Sequence, residues 1–382
     1  MYYSVYLCKI LELLMIKVFV VVGTRPEAIK MAPIIMELRA ETEFEIIVCA
    51  TSQHKEMLQQ VFDFFNIKSD FDLQIMEFNQ GLPSLNAKIL LQLTDVLLIN
   101  RPDWIIVQGD TTTAMAAAMA GFYQKIKIAH VEAGLRSNDL YSPFPEEMNR
   151  SVISKIATCH FCPTNNAVVN LQKEGITKNV FEVGNTVVDS VLAGIKIIKE
   201  SNEEYFHVFS KIDFDKKIIL VTCHRRESFG DPFLNICKAL IEIVDLLPDF
   251  IIVYPVHLNP NIKRNAHRYL IHPRIYLTEP LSYPHLLWFL NRSELVLTDS
   301  GGIQEEAPSL NKPVLVLREV TERTEGIEAG TAILVGTDTE TIVKQTIQIV
   351  MDKERFKKMA LSSNPYGDGK ASKRIVSLLK KL

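Results

Sequence analysis

Three acidic residues of this chain stand where acid–base chemistry is expected. Asp110 and Glu132 each follow a short apolar segment, and Glu146 lies in the first turn of a predicted helix. If the apolar segments are parallel strands, their carboxyl ends lie at one edge of a sheet, where such sheets bind ligands. Three carboxylates near one ligand indicate proton transfer or stabilisation of a cationic transition state.

Two of these carboxylates also have a simpler structural interpretation. Asp110 precedes a segment rich in alanine and methionine, and on this segment alone an N-cap of the following helix is the favoured role. Glu146 and Arg150 have i,i+4 spacing and share one helix face, so a plain helix salt bridge is the alternative there. Glu132 is less easily explained by capping, because it directly follows a strand and Gly134 keeps the next loop open.

Basic side chains near the ends of apolar segments predict sites for an anion. Gly23 allows a tight turn, and Arg25 and Lys30 add positive charge to the N-terminus of the next helix. The alternative is a plain strand–turn–helix with surface charges, and the fingerprint G-x-G-x-x-G is absent there. His224 and His257 each follow a later apolar segment, which favours a polar cleft over two separate structural histidines.

The strongest phosphate signal is Ser300-Gly301-Gly302, between an apolar segment and a predicted helix. The glycines expose backbone N–H groups at the helix start, the geometry that binds a diphosphate, and an N-cap by Ser300 is compatible with it. Glu306, about one helical turn further on, is placed to grip ribose hydroxyls. Arg323 follows another apolar segment and offers a further guanidinium group.

Strands and helices must position these residues, and the hydrophobic pattern predicts both. Short segments that are apolar throughout indicate parallel strands covered on both faces. Helical segments alternate with them, which predicts doubly wound α/β sheets. The predicted strands are 17–22, 45–50, 103–108, 126–131, 158–163 and 179–183, then 216–222, 250–254, 274–278, 294–298, 313–317 and 332–335. The predicted helices include 84–99, 111–124, 231–246 and 338–352.

The length of 382 residues predicts two domains, because one hydrophobic core usually serves fewer. The strand series divides where a helix at about 186–200 leads into a polar stretch, Glu200–Tyr205. The predicted limits are 15–185 with a C-terminal helix at 366–382 for the first Rossmann-like domain, and 186–365 for the second. Residues 1–14 are interpreted as an extension, with Met15 as a candidate start.

Composition excludes some classes of partner. The net charge is -3, so no basic excess indicates nucleic acid, and an anionic ligand must be held by a local cluster of donors. Several of the six cysteines lie in apolar segments, as reduced thiols of a cytosolic protein do. Cys159 and Cys162 have C-x-x-C spacing but no second pair at zinc spacing, so we predict no metal site.

The apolar N-terminus is predicted neither to be a signal peptide nor to cross a membrane. Lys9, Glu12 and Lys17 interrupt the apolar residues of 1–23, and a basic n-region and a cleavage site are missing. The uninterrupted runs are much shorter than the ~20 residues of a membrane span.

Taken in order, the motifs resemble those of the bacterial non-hydrolysing UDP-N-acetylglucosamine 2-epimerases. The resemblance runs from about Met15 to the C-terminus, and so many motifs in one order make it highly specific. The segments that carry it are GTRPEAIKMAP (23–33), QHKEML (53–58), GDTTT (109–113), HVEAGLR (130–136), PFPEEMNR (143–150), GNT (184–186), HRRES (224–228), YPVHLNPN (254–261), TDSGGIQEEAPSL (298–310), KPVLVLR (312–318) and NPYGDG (364–369).

This resemblance implies a GT-B type fold, with two Rossmann-like domains and an active site between them. It implies that UDP lies mainly on the second domain, at the Ser300–Gly302 turn and Glu306, with Arg25 completing the phosphate site. The catalytic residues that it implies are Asp110, Glu132, Glu146 and His224. Further substrate-binding residues would be Lys30, Arg150, His257 and Arg323, and no cofactor or metal is expected.

The family reaction is reversible epimerisation of UDP-N-acetylglucosamine at C2, giving UDP-N-acetylmannosamine. The C2 proton and UDP leave in an anti elimination that gives UDP and 2-acetamidoglucal. The glycal is protonated from the other face and UDP adds back. Carboxylates stabilise the positive charge that builds on the ring, and His224 and Arg25 stabilise the departing diphosphate.

The resemblance also implies regulation and assembly. Family members are activated by substrate bound next to the active site, and Gln53, Glu147 and His257 match positions of that second site. Asn79 departs from the pattern, because such members often carry an arginine there. A cytoplasmic homodimer that contacts neither nucleic acid nor membrane is expected.

Three other functions compete with this prediction. A hydrolysing 2-epimerase would release UDP and free N-acetylmannosamine, although QHKEML and PFPEEMNR favour the non-hydrolysing branch. A GT-B glycosyltransferase would need an acceptor sugar. A sugar-nucleotide-binding regulator would lack turnover, and the carboxylates at Asp110, Glu132 and Glu146 argue against it.

Overall fold

A computed structural model describes residues 15–52, 55–77, 80–200, 202–225 and 230–382. The chain divides into two compact units. The first ends at Ser190 and is completed by Gly367–Leu382, and the second is Val191–Tyr366. That the segments predicted from the sequence are independently folding domains stays a prediction.

The first unit is built on a parallel sheet that has seven strands within the described residues. They are β1 (Ile16–Val22), β2 (Phe44–Ala50), β3 (Phe71–Asp72), β4 (Trp104–Gln108), β5 (Lys127–Val131), β6 (Cys159–Cys162) and β7 (Val180–Glu182). Their order is β3-β2-β1-β4-β5-β6-β7, so the winding direction reverses between β1 and β4. Ligands of doubly wound sheets bind beyond the strand ends at this switch point.

Helices connect these strands as right-handed crossovers require. They are α1 (Arg25–Arg39), α2 (Lys55–Phe64), α3 (Leu82–Asn100), α4 (Thr112–Tyr123), α5 (Glu146–Ile156), α6 (Asn165–Lys173) and α7 (Thr186–Glu200), in which the division between the units falls. The core of this unit contains apolar residues of β1, β4, α3 and the alanine-rich α4.

The second unit repeats the architecture with a parallel sheet of six strands in the part of the chain that the structure describes. They are β8 (Lys217–Thr222), β9 (Phe250–Pro255), β10 (Ile275–Thr278), β11 (Ser293–Thr298), β12 (Val314–Val316) and β13 (Ala332–Leu334). The order is β10-β9-β8-β11-β12-β13, and the switch point lies between β8 and β11.

The helices of the second unit lie between and after its strands. They are α8 (Asn202–Val208), α9 (Asp231–Leu246), α10 (Pro260–Tyr269), α11 (Tyr283–Arg292), α12 (Gly301–Glu306), α13 (Thr324–Glu328), α14 (Thr339–Met351) and α15 (Lys353–Ala360), with a 3-10 helix at Ala307–Leu310.

The last helix, α16 (Ala371–Leu379), belongs to the first unit. Buried Asp189 accepts hydrogen bonds from the N–H groups of Ala371 and Ser372, at 3.2 and 2.9 Å, and so satisfies donors at the start of α16. Lys380 adds ion pairs to Glu41 and Glu43 at the opposite end of the helix.

The predicted α/β class with two Rossmann-like sheets is confirmed. Every segment predicted as a strand contains one, and no end is shifted by more than one residue. The two-residue strand β3 was not predicted. The polar stretch Glu200–Tyr205, where the sequence places the domain boundary, includes the start of α8 at Asn202, a helix that was not predicted, and Tyr205 stacks on Trp288 at 5.8 Å.

One described helix, α3, is long and apolar enough to cross a membrane by length and composition alone. Its apolar stripe lies at every fourth position and is buried in the core of the first unit, where α3 packs against α4. The residues of the stripe are Leu85, Ile89, Leu93 and Leu97. One stripe buried on the core with the opposite face exposed is the pattern of a surface helix of a globular unit.

A pair of leucine substitutions tests this role of α3. Leu93 is 0% exposed and Leu91 is 68% exposed on the same helix. We expect Leu93→Ala to lower the free energy of unfolding of the first unit by about 2–5 kcal/mol, because a cavity is left. Leu91→Ala should change it by less than about 0.5 kcal/mol.

The measurement is urea unfolding followed by the fluorescence of Trp104 in a Trp288→Phe background. The chain has two tryptophans, and Trp104 lies in β4 of the first unit. Equal losses of stability for the two leucine variants would contradict the packing of this one stripe of α3 on the core.

Candidate active site

The switch point of the first unit brings together two loops that are distant in the sequence. β1 and β4 pair directly, so Gly23–Thr24 after β1 faces Gly109–Thr113 after β4. A Cβ atom at Gly23 would overlap the side chain of Thr113, which means that only glycine allows this approach. The loops therefore form one continuous rim.

Glu27 ties these two loops together, and the sequence analysis did not single it out. Its carboxylate is buried and accepts hydrogen bonds from the N–H groups of Thr24 (2.6 Å) and Gly23 (3.1 Å). It also accepts one from the hydroxyl of Thr111 at 2.7 Å. Burial raises the pKa of Glu27 to about 7, although these hydrogen bonds act to lower it. The signal in the sequence was the capping-box spacing from Thr24 to Glu27.

The predicted site residue Glu132 lies at this rim in a buried ion pair. Its side chain is 8% exposed, and Lys30 binds one carboxylate oxygen while Gln108 donates to the other. The backbone of Glu132 has φ 62°, a left-handed conformation that costs free energy in a residue other than glycine. The structure thus brings Lys30 and Glu132 together, and adds Gln108, which the sequence analysis missed.

Asp110 forms a second charged group on the same rim. Its carboxylate is paired with Arg150, which also contacts Glu147 at 3.2 Å, and Asn149 donates to the Asp110 carbonyl oxygen at 2.8 Å. The Arg150 side chain is 12% exposed, so the pair is largely removed from solvent. A buried charge needs such partners, which hold it in one place.

Two simpler interpretations of the sequence are wrong. The N-cap of α4 is Thr111, whose hydroxyl accepts from the N–H of Ala114 at 3.0 Å, so Asp110 is not the cap. The helix salt bridge expected between Glu146 and Arg150 is replaced, because Arg150 pairs with Asp110 across the rim. Both changes leave carboxylates at the place where a ligand would bind.

The two glutamates at the start of α5 have different surroundings. Glu146 is half-buried, and its Oε2 atom is buried without a hydrogen-bond partner among the described residues. Glu147 is 2% exposed and accepts from the N–H groups of Ser137 and Asn138 at 3.0 and 3.1 Å. Glu147 thus stabilises the loop before α5. Its place in a second substrate site stays a prediction, and Gln53 and Asn79 lie outside the described residues.

A buried histidine makes a hydrogen bond to the backbone of the Gly109 turn. The Nε2 atom of His130 lies 2.8 Å from the Gly109 carbonyl oxygen and must donate, because a carbonyl only accepts. Burial lowers the pKa of His130 to about 3, and that of His160 on the adjacent strand to about 4. Both rings are therefore neutral at ordinary pH, and His130 holds the backbone next to Asp110.

The switch point of the second unit carries its own polar group. His224 follows β8, and its ring stacks on that of His257 with 5.5 Å between centroids. Asp299, at the end of β11, is 0% exposed and lies with Oδ1 at 3.3 Å from Nδ1 of His224. Burial lowers the pKa of His224, an effect that Asp299 partly offsets. The structure brings together the two predicted histidines and adds Asp299.

The turn after Asp299 has the shape expected for a phosphate loop. Ser300 is the N-cap of α12 by its backbone, but its side chain makes no capping bond, contrary to the suggested cap. A Cβ at Gly301 would lie 3.5 Å from Cζ of Arg323, so Arg323 lies against the turn, and it pairs with Glu305 at 2.8 Å. Glu306 is 6% exposed, and its Oε1 lies 4.0 Å from where a Gly302 Cβ would be.

The predicted site residues thus form clusters within each unit. The first unit groups Lys30 with Glu132 and Asp110 with Arg150, and half-buried Arg25 begins α1. The second groups the histidines and places Arg323 beside the glycine turn. Of the described residues, no three or more His, Cys, Asp or Glu side chains are grouped to hold a metal ion.

Two parallel α/β sheets with polar switch-point rims define a protein of the nucleotide-binding α/β class. Residues 36–380 match the family model described as UDP-N-acetylglucosamine 2-epimerase. The chain is 48% identical to the UDP-N-acetylglucosamine 2-epimerase of Escherichia coli strain K12 over 95% of this chain and 98% of that protein. It therefore belongs to the UDP-N-acetylglucosamine 2-epimerase family of isomerases.

Solved structures agree with this assignment. The crystal structure of the Neisseria meningitidis UDP-GlcNAc 2-epimerase bound to UDP-GlcNAc has a TM-score of 0.88. It is 46% identical and covers 96% of this chain and 100% of its own. A Methanocaldococcus jannaschii UDP-GlcNAc 2-epimerase in complex with UDP-GlcNAc and UDP has a TM-score of 0.78 at 35% identity, over 96% of this chain and 100% of that chain.

The raised pKa of Glu27 predicts a pH-dependent contribution to stability. Between pH 4.5 and about 7 the folded state holds a proton on Glu27 that the unfolded state has released, so the contribution of Glu27 to the free energy of unfolding falls as pH rises. The expected fall is on the order of 3 kcal/mol. Glu27→Gln should remove this contribution, measured by urea unfolding with Trp104 as the reporter. His130 and His160, whose pKa values are lowered, contribute a slope of opposite sign below pH 6.5 in wild type and variant alike.

Thr111→Val provides a directional control. It removes one donor to the Glu27 carboxylate, so the pKa of Glu27 in the folded state and with it the upper limit of the pH window should rise. Equal slopes for wild type and Glu27→Gln would show that Glu27 titrates alike in the folded and unfolded states.

Proposed function

We propose that this chain catalyses reversible epimerisation of UDP-N-acetylglucosamine at C2, giving UDP-N-acetylmannosamine without hydrolysis. The observation that carries the proposal is the pair of carboxylates, Asp110 and Glu132, each ion-paired at one switch-point rim. Such groups can accept and return a proton and stabilise positive charge on a sugar ring. The family membership supplies the substrate.

The physical difficulty of the reaction is the weak acidity of the C2 proton. An elimination avoids a free carbanion: the C2–H bond and the bond from C1 to the phosphoryl oxygen break, and a C1–C2 double bond forms. A carboxylate takes the proton, and UDP carries away the electron pair. A carboxylic acid then protonates C2 of the 2-acetamidoglucal from the other face, and UDP adds back at C1.

The described contacts support a role in this reaction for three carboxylates of the first unit. Lys30 and Gln108 both donate to Glu132, and Arg150 pairs with Asp110, so these two carboxylates are held in fixed positions. Glu146 has a buried oxygen with no hydrogen-bond partner in the described residues, which leaves that oxygen available to a substrate. We propose all three as catalytic residues, without assigning which removes the proton.

The second unit offers groups that suit the UDP moiety. Backbone N–H groups of Ser300, Gly301 and Gly302 would bind the diphosphate, and Glu306 would accept hydrogen bonds from ribose hydroxyls. We propose His224, His257 and Arg323 as further contacts of the bound nucleotide, with Lys30, Arg150 and Arg25 of the first unit completing the set. The scheme needs no cofactor and no metal.

The relatives support the proposed substrate by their names. They are named UDP-N-acetylglucosamine 2-epimerase in several bacteria, among them Bacillus subtilis at 47% identity over 367 residues. We propose a cytoplasmic homodimer with sugar nucleotide as its ligand.

A proton NMR experiment in D2O tests the reaction. Wild-type protein with UDP-N-acetylglucosamine alone should give an equilibrium mixture with UDP-N-acetylmannosamine, deuterium at C2 and no free sugar. Asp110→Asn, Glu132→Gln and Glu146→Gln should each lower kcat by about 10²-fold or more, because a proton-transfer or charge-stabilising group is lost. UDP should still bind each variant.

Asp95→Asn, on the exposed side of α3, is the matched control and should keep the wild-type rate. Free N-acetylmannosamine with an equal amount of UDP would instead indicate a hydrolysing enzyme. Bound substrate without turnover would indicate a transferase that awaits its acceptor. Near-normal rates in all three carboxylate variants would refute the site.

A further inference from the structure

Asp299 makes an unusual set of contacts for a residue outside the proposed catalytic groups. It follows the last residue of β11, and none of it is exposed. Its Oδ2 atom accepts from the backbone N–H groups of His224 and Arg225, both at 2.8 Å. Its Oδ1 atom lies 3.3 Å from Nδ1 of His224. One carboxylate therefore binds the backbone at residues 224 and 225 and also lies next to the ring of His224.

These contacts favour one arrangement of hydrogens on the His224 ring. Nδ1 lies 3.3 Å from a carboxylate oxygen, which can only accept, so a hydrogen on Nδ1 is favoured. Nε2 is then the other end of the ring, and the side chain of His224 is 41% exposed whereas Asp299 is 0% exposed. The ring of His257 lies nearly parallel, at an interplanar angle of 19°, and restricts rotation.

The charged and titratable neighbours of the ring act in different directions. Burial lowers the pKa of His224 most, His257 and Arg225 lower it further, and Asp299 raises it. The ring is thus mainly neutral in the empty protein near pH 7, and an anion placed at Nε2 would favour the protonated form.

We propose that Asp299 is a positioning residue that keeps Nδ1 of His224 protonated and Nε2 turned toward the diphosphate. The inference rests on the proposed function, because Asp299 immediately precedes the Ser300–Gly302 turn that would bind this diphosphate. As the bond from C1 to oxygen breaks, the electron pair goes to the phosphoryl oxygen. The Nε2–H group of the His224 cation donates a hydrogen bond to that oxygen, and no covalent bond to the ring forms.

The alternative is that Asp299 only holds the backbone turn at residues 223–225. Asp299→Asn separates the two roles, because the amide oxygen can still accept the two backbone N–H bonds. The amide NH2 group would then face Nδ1 as a donor, which favours the tautomer with hydrogen on Nε2 and destabilises the cation. The same substitution at the aspartate of a serine-protease triad produces the wrong histidine tautomer.

Asp189→Asn is a matched control. Asp189 is also a buried carboxylate that accepts two backbone N–H bonds, from Ala371 and Ser372, but its partners include no histidine among the described contacts. Ala371 and Ser372 bond to different oxygens of Asp189, so the amide keeps only one acceptor for them. Asp189→Asn therefore shows the effect of a weakened backbone clamp without the loss of an aspartate–histidine pair.

The experiment has two readouts on the full chain. Long-range proton–nitrogen NMR of nitrogen-15 histidine-labelled protein, without substrate, should show hydrogen on Nδ1 of His224 in wild type and Asp189→Asn, and on Nε2 in Asp299→Asn. Calorimetric titration with UDP from pH 5.5 to 8.5 should show proton uptake at His224 in the first two proteins. In Asp299→Asn this uptake should be lost, with kcat reduced by about 10²-fold.

Each outcome decides one question. Hydrogen on Nε2 in wild type, or an unchanged tautomer and unchanged proton uptake in Asp299→Asn, would overturn the proposal. If the wild type has the expected tautomer and shows the expected uptake with UDP but does not epimerise the sugar, the proposed function fails while the role of Asp299 stands. The wild-type tautomer is informative even if a variant does not fold.

Discussion

The constraint behind this structure is that parallel strands covered on both faces admit almost no polar side chains along their length. β1, β4, β8 and β11 are nearly all buried and apolar. Charged residues therefore collect where strands end, and the switch points between β1 and β4 and between β8 and β11 provide the open edges. The strand order therefore decides where the charged side chains gather.

Removing charges from water makes their partners as important as the charges themselves. Glu132 and Asp110 have cationic partners, Lys30 and Arg150, which repay part of the desolvation cost. Glu27 has neutral donors as its described partners, and its pKa rises to about 7. The rim thus contains two carboxylates that are paired with cations, Asp110 and Glu132. A third, Glu27, joins the two loops through its hydrogen bonds. Fixed dipoles and charges of this kind suit a reaction in which charge develops on a sugar ring.

Most of the fold was predictable from the sequence. The apolar segments identified the strands because buried parallel strands have a composition that few other elements share. The helices 186–200 and 231–246 were predicted with the limits that the structure shows. The short elements β3 and α8 were not predicted, because β3 has only two residues and α8 is polar in sequence. The packing of Tyr205 on Trp288 stabilises α8, and a long-range contact of this kind leaves no local pattern.

The sequence alone determined which residue types stand at each strand end, and their order along the chain was enough to identify the family. It did not determine partners. From the sequence, Asp110 could be a helix cap or a site residue, and Glu146 could form a helix salt bridge or be a site residue. In each case both roles are compatible with the same residue type at the same position. The tertiary structure excluded the cap and the helix salt bridge, because Thr111 caps α4 and Arg150 pairs with Asp110 across the rim. It likewise paired Asp299 with His224, 75 positions apart, because contacts between distant segments depend on strand order and not on local sequence.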